Sequence, residues 1–428
     1  MSRNMYDLTH QIHMTGKVGR LQTLGVIPVI AGDSLQMDIE GIFRFSPMRK
    51  EVVMDAQVEL FAFYQPYRHI YGQNWIDFIE EGHDEGVTMA TDSFSNGEPA
   101  TYLGLPVGPA SLPKWLNETY FNIWNYYFKY PDAADQVASE LTGDDRAFGL
   151  EIARLKHPAT SPRLLTGTSR RDLDASDFTL NIPVSGTANL DVRDLARVRG
   201  EARSEIERNW FTSRYNEIIK SQFGPSVNYD TEERPELIAR QKMMMSGTDV
   251  DGTDDASLGS FVGKTVSRAG MNVNRKYFDE HGSVWIMAAV RFPFVHAQER
   301  HRLTQVPQPS YKEISGDPEI WANEEPEPYN PGSYIANVGG SWTNYYEPYG
   351  QWYRYHPSRV APEFRTIPGY PFTNTAFNTI SNTFYHDLEE YENIFATKQL
   401  GHWQMHLQNK CYKLTRIPDV RSSIYAGV

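Results

Sequence analysis

The stretch that most constrains the fold is GDSLQMDIEGIFRFSP, residues 32–47. From residue 34 to residue 45 apolar side chains alternate with polar ones, and only Gly41 and Ile42 break the alternation. Successive side chains of a strand point to opposite faces of a sheet, so this pattern predicts a half-buried β-strand. We therefore expect a sheet with one face on a core and one face toward solvent.

Other segments also have the patterns of strands. Residues 402–416, HWQMHLQNKCYKLTR, alternate until Asn409, where the pattern slips, and such slips are typical of β-bulges. Residues 56–66 and 283–294 are dense in apolar and β-branched side chains, which predicts strands covered on both faces. Residues 26–30 and 351–357 are shorter candidates.

Helical periodicity is rarer, and two regions have it. One apolar stripe ends at Gly224 and Pro225, which are typical of a helix C-terminus, and the other precedes Pro131. The first stripe contains Ile206, Trp210, Phe211, Tyr215, Ile218 and Ile219, and the second contains Leu116, Tyr120, Ile123, Trp124 and Tyr127. Both helices separate strands that are distant in sequence, so we expect helical insertions in a β framework.

Long segments between the predicted strands have little periodicity. Residues 304–350 contain seven prolines, and residues 82–112 and 157–190 are similar. Loops of this length are uncommon in self-contained domains, yet tyrosines and tryptophans in PGSYIANVGGSWTNYYEPYGQWY distinguish them from solvated linkers. These segments are therefore expected to be buried against other subunits or partners. No repeat or linker divides the chain, so we expect one domain spanning residues 1–428.

Composition limits the function classes. With 54 acidic and 41 basic residues the formal charge is −13, which disfavours a protein that coats nucleic acid. The single cysteine, Cys411, cannot form an internal disulfide and fits a reducing compartment. The N-terminus lacks the apolar region of a signal peptide, and no apolar run approaches the length of a membrane span. We expect folding in the cytoplasm and no membrane partner.

The acidic stretch SGTDVDGTDDASLGSFVGKT, residues 246–265, invites two ligand hypotheses. An EF-hand counted from Asp249 requires Gly at position 6 and Glu at position 12, where the chain has Asp254 and Ser260. A phosphate-binding loop counted back from Lys264 requires Gly at position 258, where the chain has Leu258. A polar structural turn is therefore favoured. A calcium site of another kind, using Asp249, Asp251, Asp254 or Asp255, stays open.

Catalytic and metal signatures are absent from the sequence. His402 and His406 share a strand face about 13 Å apart, too far for one zinc ion, so surface histidines are expected rather than ligands. His386 and Asp387, upstream, do not change this interpretation. There is no HExxH, CxxC or GxSxG, although a glycosidase carboxylate pair has no local signature and stays open. We expect no catalytic residue, no metal and no cofactor.

Two basic and aromatic stretches are candidate nucleic-acid contacts. Arg354 and Arg359 lie in QWYRYHPSR, and Arg68 lies in YQPYRHIYG. Arginine contacts combined with base stacking on aromatic rings are the usual mode of single-strand binding. The alternative is that the rings of these strands pack inward.

Seven segments together resemble a known family. They are IPVIAGDSLQMDIEG, FYQPYRHIYGQNWIDFI, YFNIWNYYFKYP, SGTDVDGTDDASLG, VRFPF, ISGDPEIW and GQWYRYHPS. In this order and spacing the chain resembles the major capsid proteins, called F, of microviruses, the φX174-like single-stranded DNA phages. The resemblance extends over essentially the whole chain.

The resemblance implies a mainly β fold, an eight-stranded antiparallel jelly roll with long loop and helical insertions. It implies self-assembly into a T=1 icosahedral shell around a circular single-stranded DNA genome, in the virion and assembled in the bacterial cytoplasm. The implied partners are a major spike protein, internal and external scaffolding proteins, a DNA pilot protein and a small basic DNA-packaging protein. No enzymatic site is implied, and the acidic stretch becomes a structural loop at a subunit contact.

Aromatic residues are the expected anchors of subunit interfaces. Tyr345, Trp352 and Tyr353 are the candidates, in the region 329–355. A β-sandwich protein that binds or hydrolyses glycans is the alternative, because aromatic platforms and acidic loops would serve it too.

Overall fold

The computed structural model describes residues 3–48, 55–81, 89, 91–94, 110–128, 164–165, 215–227, 234–245, 266–292, 295–296, 345–346, 373–374, 394–395 and 401–416. The longer strands are β1 (Asn4–Asp7), β2 (His10–Gly16), β3 (Leu21–Val29), β4 (Ser34–Phe45), β5 (Ala56–Pro66), β9 (Glu236–Met245), β10 (Val266–Tyr277), β11 (Gly282–Arg291) and β15 (Trp403–Thr415). The short strands are β6 (Thr91–Phe94), β7 (Ala110–Pro113), β8 (Leu164–Leu165), β12 (Val295–His296), β13 (Tyr345–Tyr346) and β14 (Thr373–Asn374). The helices are α1 (Arg68–Tyr71), α2 (Gln73–Glu81), α3 (Lys114–Ile123), which continues as a π-helical turn (Trp124–Phe128), and α4 (Tyr215–Gln222).

Two antiparallel sheets form the framework. The first sheet has the order β2-β15-β4-β10, with β1 pairing the far end of β15, and the second has the order β3-β11-β5-β9. Apart from β5 and β9, successive strands of this set of eight alternate between the sheets. This is the connectivity of a jelly roll, and the predicted mainly β fold is confirmed.

The main hydrophobic core lies between the two sheets. The first sheet contributes Leu35, Met37, Ile39, Phe43 and Trp403, and the second contributes Val58, Leu60, Val284, Ile286 and Val290. All of these side chains are buried. Burying one large apolar side chain stabilises the fold by about 1.5–3 kcal/mol, so this layer holds the sheets together.

The second sheet is covered on its outer face as well. Strands β5 and β11 are buried at every position, as their apolar sequences predict. Outward rings of β5 pack on the π-helical turn, with Phe61 and Phe128 centroids 5.2 Å apart and Phe63 and Tyr127 centroids 4.9 Å apart. The outer face of the first sheet is polar instead, as the alternation in β4 predicts.

The bulge predicted at Asn409 is not formed, and that prediction is wrong. Strand β15 pairs with β4 without interruption from Trp403 to Leu414. Asn409 occupies an inward position of a regular strand and is fully buried, with its amide nitrogen 3.9 Å from the Met37 sulfur. The break in the sequence pattern is therefore a polar residue inside the core, not a change of register.

Gly41, which interrupts the alternation of β4, marks a close approach of two strands. It faces inward opposite Leu407 of β15. A Cβ atom added there would lie 2.1 Å from the backbone oxygen of His406. No larger residue fits this position without moving β15, since real Cβ atoms do not approach backbone atoms so closely.

Both helical regions contain helices. Residues 114–128 are helical, as the second stripe predicts. Helix α4 ends at Gln222, and Gly224, two residues later, has a φ of 95°, the left-handed conformation expected of a glycine after a helix. Residues 206–214 of the first stripe and the strand predicted at 351–357 lie outside the described residues.

Candidate functional site

Arg68, predicted to contact nucleic acid, lies where β5 passes into α1 and is held by an ion pair. Its Nε and Nη2 atoms donate to the two carboxylate oxygens of Glu280 at 2.7 and 2.8 Å. The two side chains are 13% and 3% exposed. A bidentate pair of this kind has fixed geometry and is stronger than a neutral hydrogen bond.

Two tyrosines surround the Glu280 end of this pair. The Tyr64 hydroxyl donates to the Glu280 carbonyl oxygen at 2.9 Å, and the Tyr215 hydroxyl donates to the Glu280 carboxylate at 3.3 Å. Burial and the nearby Glu280 charge raise the pKa of both phenols. The hydroxyls therefore stay protonated, and Tyr64 fixes the backbone of Glu280 while Tyr215 donates to its carboxylate.

The rings next to Arg68 pack on other aromatic rings. Tyr67 lies 5.2 Å from both Trp75 and Trp115, between centroids, and Tyr71 is buried against Trp75. This is the inward packing that the alternative interpretation predicts for these rings. The arrangement fixes α1 and α2 to the turn between β10 and β11, and nucleic-acid contact by Arg68 stays a prediction.

The other predicted contact residues are described only in part or not at all. The backbone of Tyr345 pairs with Leu165 in the short ladder of β13 and β8. Trp352, Tyr353, Arg354 and Arg359 lie outside the described residues. So do the acidic stretch 246–265 and the pair His386 and Asp387.

His402 and His406 have different environments. His402 is buried, so its prediction as a surface residue is wrong: its Nδ1 accepts the Val18 backbone N–H at 3.0 Å, and its ring stacks 4.5 Å from Phe395. His406 is exposed, as predicted, and its Nδ1 lies 2.9 Å from Nδ1 of His13 on β2. No local sequence pattern connects His13 with His406, because the pairing of β2 with β15 joins the two ends of the chain.

A buried ion cluster was also missed. The Glu59 carboxylate, which is fully buried in β5, pairs with the guanidinium groups of Arg291 on β11 and Arg240 on β9. Burial lowers the pKa of Arg291 to about 10, so the residue remains charged at neutral pH. One signal was available, since Glu59 is the single charged residue of a strand predicted to be covered on both faces, and a buried charge requires a partner.

The outer face of the first sheet offers a broad polar surface. The outward side chains of its two central strands are Gln36, Asp38, Glu40, Ile42, Arg44, Gln404, His406, Gln408, Lys410 and Tyr412. Ile42 is 50% exposed at the centre of this set. The face has acidic, basic and amide side chains and can form hydrogen bonds and ion pairs with a polar partner.

Features of other protein classes are not found in the described parts of the chain. They contain no group of three or more His, Cys, Asp or Glu side chains arranged to hold a metal ion. No helix within them is long and apolar enough to cross a membrane.

Comparison with known proteins connects this fold to a family. The sequence profile described as "Capsid protein (F protein)" matches residues 1–170 and 157–425. Capsid protein F of Escherichia phage G4 is 34% identical over 424 residues, covering 98% of this chain and 96% of the relative. Those of Enterobacteria phage phiK and Escherichia phage alpha3 are 32% and 31% identical, each covering 99% of this chain and 97% of the relative. With the jelly-roll connectivity of the two sheets, these matches mean that the chain belongs to the capsid protein F family of microviruses.

Proposed function

We propose that the chain is the major capsid subunit of a T=1 icosahedral shell that encloses a circular single-stranded DNA genome. The observation that carries the proposal is the similarity to capsid protein F of three phages over nearly the full length of both chains. The jelly roll supports it, because a closed sandwich covers its own core and leaves long connections free to contact neighbours.

Assembly would depend on several interfaces of moderate strength. A closed shell requires misplaced copies to dissociate, and interfaces of about 1,600 Å² range from micromolar to picomolar affinity according to their anchors. We assign the anchors to the aromatic region that contains Tyr345, Trp352 and Tyr353. We assign contact with the genome to Arg68, Arg354 and Arg359. The whole of residues 1–428 would act as one capsid domain.

The partners follow from the same proposal. A major spike protein, internal and external scaffolding proteins and a DNA pilot protein would contact the shell during assembly in the host cytoplasm. A chain with a formal charge of −13 does not neutralise the packaged DNA. Another component would have to supply the positive charge, and a small basic packaging protein suits this role. The role is structural, with no chemical reaction and no membrane.

Electron microscopy of the chain co-expressed with its accessory proteins tests the proposal. Uniform closed spheres that contain this chain, and nuclease-resistant single-stranded DNA in particles isolated from infected cells, are expected. Small oligomers that are retained on glycan affinity resins would instead support a glycan-binding β-sandwich and overturn the capsid assignment. The chain without accessory proteins is the matched control and is expected to give few or no closed particles.

A further inference from the structure

We propose that His13 and His406 form a binding site for one divalent transition-metal ion on the outer face of the first sheet. Both residues are exposed and lie directly opposite each other on β2 and β15. Seven consecutive residue pairs hold these strands in register around them, from Gly16 to His10. The site does not depend on the proposed capsid function.

The distance between the two ring nitrogens fits metal coordination. The Nδ1 atoms are 2.9 Å apart, with the ring centroids 5.2 Å apart. Metal–imidazole bonds are about 2.0–2.1 Å long, so two bonds at a right angle separate the nitrogens by about 2.9 Å, and two at the tetrahedral angle by about 3.4 Å. The pair therefore has the spacing of neighbouring positions in a square-planar or tetragonal ion.

The hydrogen bonds at the outer nitrogen of His13 support the same arrangement. Its Nε2 lies 3.2 Å from Oε1 of Gln11, an acceptor, so the proton of the neutral ring belongs on Nε2. The lone pair on Nδ1 is then directed at His406. Metal-bound histidines typically donate their second N–H to such an acceptor, so Gln11 already holds His13 in the tautomer that a metal requires.

Arg44 sets the strength of the site. Its Nη2 lies 3.4 Å from Nε2 of His406, while its Nε donates to Gln404 at 2.9 Å. In the metal-free protein Arg44 donates to Nε2, so His406 carries its proton on Nδ1 and donates it to His13. A metal displaces that proton, after which Nε2 gains a hydrogen and Arg44 must turn away. The positive charge of Arg44 and this rearrangement both weaken metal binding.

The identity of the ion follows from the ligands. Imidazole nitrogens suit Cu, Ni and Zn, and tetragonal geometry favours Cu²⁺, which also binds most strongly in the divalent series. We expect the order Cu²⁺ above Ni²⁺ and Zn²⁺, with no binding of Ca²⁺ or Mg²⁺. Water would complete the coordination. The ion would join strands whose facing residues are 393 positions apart in the chain.

The test is titration of the full purified chain with Cu²⁺, followed by calorimetry and by the visible copper absorption band. The variants His13→Gln and His406→Gln are each expected to weaken the tightest site by tenfold or more. His10→Gln is the matched control: His10 is an exposed histidine of the same strand, and its Nδ1 lies 2.8 Å from the Leu8 carbonyl oxygen. This variant is expected to leave the affinity of that site unchanged. Arg44→Gln is expected to tighten binding several-fold.

Two results would overturn the site. One is the absence of Cu²⁺ binding below about 100 µM, which would leave the histidine pair as a hydrogen bond only. The other is equal binding by wild type, His13→Gln and His406→Gln, which would place the copper on other histidines. Circular dichroism of each variant shows that the fold is retained. Nitrogen hyperfine splitting in the electron paramagnetic resonance spectrum, expected from two nitrogens, reports on the ligands independently of affinity.

Discussion

At the scale of single residues, the charges inside the second sheet have the largest energetic consequence. Glu59 is fully buried, and the side chain of Arg291 beside it is 7% exposed. Moving such ions out of water is costly, and their attraction offsets the cost only while both partners are present. The cluster therefore ties β5 to β9 and β11 while making the fold sensitive to loss of either charge.

We expect Glu59→Gln to lower the free energy of unfolding by about 3–5 kcal/mol, because the Arg291 charge stays buried without its carboxylate. Urea denaturation of the purified chain measures the change. Glu40→Gln is the matched control, since Glu40 pairs with Lys410 on the exposed face of the first sheet, and it is expected to change stability little. Equal effects of the two substitutions would contradict the role assigned to burial.

His281 is the residue that connects stability to pH. It lies among aromatic rings, with the Phe223 centroid 4.7 Å away, and burial lowers its pKa from 6.5 to about 4. The unfolded chain therefore binds a proton at this residue between pH 6.5 and pH 4 while the folded chain does not. By linkage, the stability that depends on a neutral His281 is fully present above pH 6.5. It is lost as the pH falls from 6.5 to about 4, because protons then bind the unfolded chain preferentially.

We expect the fall from pH 7 to pH 5 to cost the wild-type chain about 2 kcal/mol through His281. The variant His281→Gln does not titrate at this position. Over the same interval its free energy of unfolding is expected to fall by about 2 kcal/mol less than that of the wild type. Chemical denaturation at the two pH values gives the difference for each protein. The same loss in both proteins would show that other groups determine the acid sensitivity.

At the scale of elements, β4, β5, β11, β15 and part of β3 were predictable from the sequence, whereas β2, β9 and β10 were not. The alternation of residues 34–45 and the apolar runs of β5 and β11 reflect their surroundings directly. The pattern of β15 was harder to interpret, because Asn409 occupies a core position that favours an apolar residue. The partners of each strand could not be predicted, since β2, β4 and β15 are brought together from distant parts of the chain.

We expect Gly41→Ala to lower the free energy of unfolding by about 2–3 kcal/mol, because the added methyl group forces β4 away from β15. Ile42→Ala, at the next position and half exposed, is the control and is expected to have a much smaller effect. Thermal unfolding of the two variants gives the comparison. An alanine at residue 41 with wild-type stability would mean that the strands separate at little cost.

At the scale of the whole molecule, we propose that the long segments between the strands determine what the sandwich can assemble into. In the described part of the structure the aromatic rings at the base of one excursion, Tyr67 and Tyr71, are covered by rings from α2 and α3. The segment 329–355, which contains Trp352, is rich in aromatic residues in the same way. Under the proposed function, neighbouring copies of the chain would cover these aromatic residues.

We expect Trp352→Ala and Tyr345→Asp to leave the subunit soluble and folded but to lower the yield of closed particles. Aromatic anchors at interfaces cost at least about 2 kcal/mol each when they are removed, and a closed shell multiplies the loss over many contacts. Sucrose gradients measure the yield, and circular dichroism of the soluble subunit controls for folding. Wild-type particle yield from both variants would remove this segment from the interface.

The sequence by itself determined β4, β5, β11, β15 and part of β3, two of the helical regions and the family. Burial of a strand or helix face is visible in neighbouring residues, and matches to the family extend over the chain. The aromatic neighbours of Arg68 predict a nucleic-acid contact, and in the structure its guanidinium forms an ion pair with Glu280. The tertiary structure alone decided which charges meet and which histidines face each other. Glu59 with Arg291, and His13 with His406, become neighbours only when distant strands pair, and local sequence contains no information about that pairing.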